Sequence, residues 1–174
     1  YLGGTEGNVL KYYRYQAIKY LVPQKKAKYK KADMISIQLA GIMKTLLVKR
    51  IDSSFYAFKQ SLKRYYQANK VMLGMFEKGV IYIAPNLKVN GLLSEGKEDE
   101  LIKLIEEAQY TDPTIEICAP EDFEPGFKEG LEDDGHILEE LVEAWDKITY
   151  DPKLDIFINE YLKGKLFDKS INQE

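Results

Sequence analysis

The chain has 174 residues, of which 45% are hydrophobic and 30% charged, with a net charge of -3. That is apolar material for one packed domain or two small ones, which excludes disorder of the whole chain. One cysteine rules out an internal disulfide, and one histidine beside it leaves no ligand set for zinc. No apolar run reaches the roughly 18 residues that a membrane helix needs. No signal peptide is visible, so the expected setting is cytoplasmic and reducing, with no membrane.

The opening YLGGTEGN reads as irregular. No Gly-Lys-Ser/Thr follows it, so it is not a phosphate loop. The first residue is Tyr1 rather than Met, which raises the expectation of a piece of a longer protein. Residues 9–22 (VLKYYRYQAIKYLV) read as a helix stopped by Pro23. The basic PQKKAKYKK follows as a loop or helix start. Residues 32–50 read as a second helix, with Ile35, Leu39, Ile42 and Leu46 on one face. Gly41 within it costs about 1 kcal/mol relative to alanine and marks a close helix contact or a bend.

Asp52 or Ser53 is the expected N-cap of a long amphipathic helix over about 54–78. Phe55, Phe58, Leu62, Tyr65, Asn69, Met72 and Phe76 recur in it at steps of three and four, a heptad stripe. Lys59, Lys63, Tyr66 and Lys70 recur in the same way on an adjacent face. Gly79 ends the helix.

VIYIAP and TIEICAP read as short strands able to pair. EDELIKLIEEAQ, between them, reads as an amphipathic helix with an acidic outer face. EDFEPGFKEGLEDDG reads as loop. Residues 137–148 (ILEELVEAWDKI) read as a helix with Leu138, Leu141, Val142 and Trp145 inward. DPKLDIFINEYL opens with Asp151 as cap and Pro152 at the first helical position. The expected fold is mainly α, a helical bundle-like domain with at most one small two-stranded β element.

Charge divides the chain. Residues 1–80 hold 16 Lys/Arg against 4 Asp/Glu, a balance of +12; residues 81–174 hold 9 against 24, a balance of -15. The first is a basic helical region and the second an acidic helical region with short strands, expected to pack as one domain. Two readings of the asymmetry stand side by side. Either a polyanion-binding face is joined to a partner-binding or masking half, or the halves neutralise each other in one compact fold.

Signals for catalysis are poor. Cys118 and His136 offer a nucleophile and a base, but Cys118 sits in an apolar strand pattern and His136 in a polar loop. Glu132, Asp133 and Asp134 lack the alternating ligand spacing of a calcium loop and read as solvated surface. Glu106 and Glu107 read the same way. Nucleic-acid binding is better supported, because Lys and Arg neutralise phosphates. The first 80 residues supply most of the cations and nine of the 13 tyrosines. Tyrosine binds phosphate or stacks on bases. Packing in a helical core is the competing role, favoured for Tyr65; Tyr66, inside the cation row, suits contact with a backbone.

GIMKTLLVKRIDSSFYAFKQSLKRY (residues 41–65) resembles a segment of bacterial SWI/SNF-type helicase-like ATPases. The matching residues are Lys49, Arg50, Ser53, Ser54, Ala57, Phe58, Ser61, Leu62 and Arg64. DPKLDIFINEYL resembles the helix that leads into the second RecA-like lobe of that family. The resemblance covers residues 35–78 and 150–163 and is loose between them. It implies a parent that hydrolyses ATP with Mg²⁺ and moves along double-stranded DNA. This chain would lie between the RecA-like lobes as a non-catalytic domain. The chain departs from the family in having no phosphate loop and no acidic Mg-binding box, so it holds no cofactor of its own under this reading and should not hydrolyse ATP alone. Lys49, Arg50, Lys59, Lys63, Arg64, Tyr66 and Lys70 are the candidate DNA-binding residues. A role for Lys49 and Arg50 in closing their helix against its dipole competes with that assignment. A protein–protein interaction module is the alternative function.

Overall fold

The computed structural model describes residues 9–29, 32–83 and 116–165. In chain order these form a 3-10 helix Tyr13–Tyr20, α1 Pro23–Lys26, α2 Ala32–Ser53, α3 Phe55–Lys78, β1 Ile81–Ile83 and β2 Glu116–Cys118. A 3-10 turn Pro120–Asp122, α4 Phe127–Asp146, α5 Pro152–Ile156 and a π-helical continuation Phe157–Lys165 complete them. The fold is mainly α with one two-stranded antiparallel sheet, as the sequence predicts. The helix expected in EDELIKLIEEAQ lies outside the described residues.

Helix α3 is the central element. Its N-cap is Ser54, not Asp52 or Ser53, because α2 continues through Ser53. The Ser54 hydroxyl accepts the N–H groups of Tyr56 at 3.1 Å and Ala57 at 3.4 Å, which satisfies donors that the helix itself leaves unpaired. Gly79 closes the other end in the left-handed region, φ 73°, with its N–H directed at the carbonyls of Met75 and Phe76. Phe58, Leu62, Tyr65, Asn69, Met72 and Phe76 are buried, as the heptad stripe requires. Phe55 is half-buried, with its ring 5.1 Å from that of Trp145.

Two apolar clusters sit along this face. One joins Leu10, Tyr12, Met43, Leu47, Phe58, Leu62 and Leu138. The other joins Ile18, Leu21, Phe76, Ile81, Phe123, Phe127 and Leu131. Both therefore draw on residues before and after position 80. Burying each Leu or Phe contributes about 1.5–3 kcal/mol. The sheet follows the period of two: Ile81, Ile83 and Cys118 face in, while the paired Tyr82 and Ile117 face out.

Three local expectations are corrected. The stretch read as loop before residue 137 is the first half of α4, which begins at Phe127. Its glycines serve packing: a Cβ on Gly130 would lie 2.4 Å from the Tyr13 ring, and one on Gly135 would lie 3.0 Å from Asn69 Nδ2. The helix expected over 9–22 is a shorter 3-10 helix. It stops at Tyr20 because the chain then bridges to the segment around Phe123, with Val22 N–H on Asp122 O at 2.8 Å and Glu124 N–H on Tyr20 O at 2.7 Å. Pro23 opens α1 rather than ending the previous helix. Finally, of the two roles expected for Gly41, a close contact or a bend, the close contact is absent among the described residues: a Cβ there would meet nothing within 4 Å.

Candidate functional site

Helices α3 and α4 run antiparallel. Phe58 meets Trp145 near one end, Asn69 Nδ2 donates to Leu131 O at 2.7 Å further along, and Phe76 meets Phe127 at the other. This packing sets the surroundings of the cation row. With 3.6 residues per turn, Lys59, Lys63, Tyr66 and Lys70 fall on the flank of α3 that faces α4. That flank meets acids. Lys63 Nζ lies 2.9 Å from Asp146 Oδ1, with both side chains about half exposed. The Tyr66 hydroxyl donates to Glu139 Oε1, and Lys59 Nζ donates to the carbonyl oxygen of Ile148. Lys70 Nζ stands 5.1 Å from the centre of the Tyr66 ring, a cation–π contact. The hydrogen bond to Glu139 raises the Tyr66 phenol above its ordinary value, with slight desolvation and the charges of Glu139 and Glu143 adding to it. The phenol therefore stays protonated, a donor.

The remaining candidates lie elsewhere. Arg64 is exposed, about 100° around α3 from Lys63, so it is not part of the row. Lys49 is exposed and Arg50 half-buried in the last turns of α2. There the Arg50 carbonyl accepts the Ser54 N–H at 3.0 Å and carries the chain into the α2–α3 corner.

That corner has a partner the sequence did not reveal. Asp151, the cap of α5, accepts the N–H groups of Lys153 at 3.1 Å and Leu154 at 3.4 Å through one oxygen. Its other oxygen accepts the Ser54 hydroxyl at 3.1 Å and the Phe55 N–H at 2.9 Å. One carboxylate thus serves the starts of two helices. Beyond it, Leu154, Ile156, Phe157 and Tyr161 are all about half exposed, and among the described elements α5 packs mainly on its own continuation.

Asp134 is another correction. It is 3% exposed rather than solvated, and its carboxylate accepts the N–H groups of Lys11 at 2.8 Å and Tyr13 at 2.7 Å. His136 is exposed on α4, while Cys118 is buried in β2. The shallow depression beside His136, about 160 Å³, is lined by Lys11, Tyr13, Asp133, Asp134 and Glu140 and does not include Cys118. Among the described residues no group of three His, Cys, Asp or Glu is placed to hold a metal. No helix among the described residues is long and apolar enough to cross a membrane.

The signal for the acidic partners was present in the sequence. Glu139, Glu143 and Asp146 repeat at steps of four and three, the acidic counterpart of the row on α3. No protein-family model matches the chain, and neither a curated protein nor a solved structure is detectably similar to it.

Proposed function

We propose that this chain is a non-catalytic helical module of a SWI/SNF-type helicase-like ATPase, which contacts double-stranded DNA and couples the motion of the RecA-like lobes. The observation that carries the reading is the Ser54–Asp151 contact at 3.1 Å. Residues 41–65 and 151–162 resemble that family separately, and this contact joins them at one corner. A helix that leaves such a corner is suited to transmit movement. The cations of α2 and α3 supply the electrostatic part, because phosphate neutralisation dominates affinity for duplex DNA. A buried Cys118 thiol suits a reducing, cytoplasmic setting.

The test is a salt titration of duplex DNA binding by fluorescence anisotropy. Binding should weaken steeply with salt. Lys59→Glu with Lys63→Glu should lower affinity and flatten the slope of log K against log salt by about 1 for each lost phosphate contact. A chain that does not bind duplex DNA at low salt, or a double reversal without effect, overturns the reading.

A second reading, a protein-interaction module, is favoured by the exposed Leu154, Ile156, Phe157 and Tyr161. Single exposed apolar residues are ordinary, but a run of them along α5 and its continuation suits a protein partner. Partner capture that depends on these residues, together with DNA binding insensitive to salt, would favour it.

A further inference from the structure

We infer that the acidic stripe of α4 occupies the phosphate positions of α3, so that DNA engages the row by exchange of partners. This rests on the DNA-contact reading above and adds its regulation. The row meets α4 or its exit at three separate points: Ile148 O for Lys59, Asp146 for Lys63 and Glu139 for Tyr66. Glu143 lies between the two acids on the same face and close enough to act on the Tyr66 phenol. Carboxylate and phosphate oxygens accept the same charge-assisted hydrogen bonds from an ammonium. In the free protein, the best-matched anion for the row is therefore its own neighbour.

The clasp is weak by construction. Lys63 and Asp146 are 45% and 46% exposed, and exposed pairs gain little over water. Exchange needs only side-chain rotation. The apolar contacts that bind α3 to α4, such as Phe58 on Trp145 at 4.5 Å, stay in place. A duplex presents several phosphates together and releases condensed counterions, which single carboxylates do not. The displaced carboxylates then turn to solvent. The acids responsible lie at 139–146. Residues 121–135, which hold seven further acids, contribute Phe123, Phe127 and Leu131 to the core.

The experiment compares two variants of equal net charge. One is Glu139→Gln, Glu143→Gln and Asp146→Asn, which removes the stripe. The other is Glu121→Gln, Glu124→Gln and Glu129→Gln, which removes three exposed acids from the far end of α4 and the segment before it. Binding of a short labelled duplex is measured at low salt, with thermal melts to confirm folding. The first variant should bind roughly three- to tenfold more tightly than the unaltered chain, and the second should move much less. Adding Lys63→Gln to the first should cancel most of the gain. Equal tightening by both variants, or a gain that survives Lys63→Gln, overturns the exchange. Unchanged binding by the first variant, while the unaltered chain binds DNA, overturns the exchange and leaves DNA contact standing. If no variant binds at low salt, DNA contact fails and the exchange falls with it.

Discussion

The carboxylate of Asp134, midway along α4, accepts the backbone N–H of Tyr13 at 2.7 Å. A side chain 121 residues away thus begins the 3-10 helix, next to Tyr12, whose φ of 61° is the one positive value on a described non-glycine residue. The left-handed turn directs neighbouring N–H groups to one side, where a carboxylate satisfies them.

Burial raises the Asp134 carboxyl above its ordinary value, and the N–H groups of Lys11, Tyr13 and Tyr12 pull it back only in part. The folded state therefore holds this proton more tightly than the unfolded chain. Stability from the site is fully present below the unfolded value, near 3.9, and is lost as pH rises through the raised folded value. Asp134→Asn does not titrate. Denaturant melts from about pH 4 upward should show the unaltered protein losing stability relative to the variant. A difference that stays flat would mean that the carboxyl is not raised. Asp134→Ala, which strands the N–H groups of Lys11 and Tyr13, should cost about 1.5–3 kcal/mol.

Two glycines should respond to alanine with opposite signs. Gly130→Ala places a methyl 2.4 Å from the Tyr13 ring, and that ring is fixed between Tyr20 at 5.2 Å and Phe127 at 6.3 Å. The overlap should cost about 1–3 kcal/mol and outweigh the helix propensity of alanine. Gly41→Ala meets nothing within 4 Å and should gain about 0.4–1 kcal/mol. Thermal melts of both variants decide it: a Gly130→Ala protein no less stable than the unaltered chain would contradict the close approach at Gly130, and a loss for Gly41→Ala would contradict the open space there.

The same glycines explain what was legible. Helix α3 could be read from its residues because its stripe and Gly79 are local, whereas its cap falls at Ser54 because α2 continues through Ser53. The cation row was equally plain, since its spacing is set by α3 alone. The first half of α4 was hidden. Gly126, Gly130 and Gly135 resemble loop punctuation, yet the last two are small because Tyr13 and Asn69 lie against them. Asp134 looked like one of three surface acids, and only the partner N–H groups distinguish it from Asp133. The partners of the row were hidden for the same reason: sequence displays a helix face but not what the fold lays beside it. Even so, Glu139, Glu143 and Asp146 carried the matching period.

Asp151 should show the reverse pH behaviour to Asp134. Desolvation is the largest single influence and raises its carboxyl, but the Leu154 N–H, the Ser54 hydroxyl and the N–H groups of Phe55 and Lys153 together hold it below the ordinary value. The unfolded chain therefore binds this proton more tightly than the folded state. Stability from the site is present above the unfolded value and is lost as pH falls through the lowered folded value. Ser54→Ala and Asp151→Ala each remove a helix cap and should cost about 0.5–2 kcal/mol. Because Ser54 Oγ also donates to Asp151 Oδ2 at 3.1 Å, the losses should not add. A double-mutant cycle should give a coupling of about 0.5 kcal/mol or more. Additive losses would mean that the two caps act independently, and the corner would then be two helix starts lying side by side rather than one joint able to carry movement from α5 to α3.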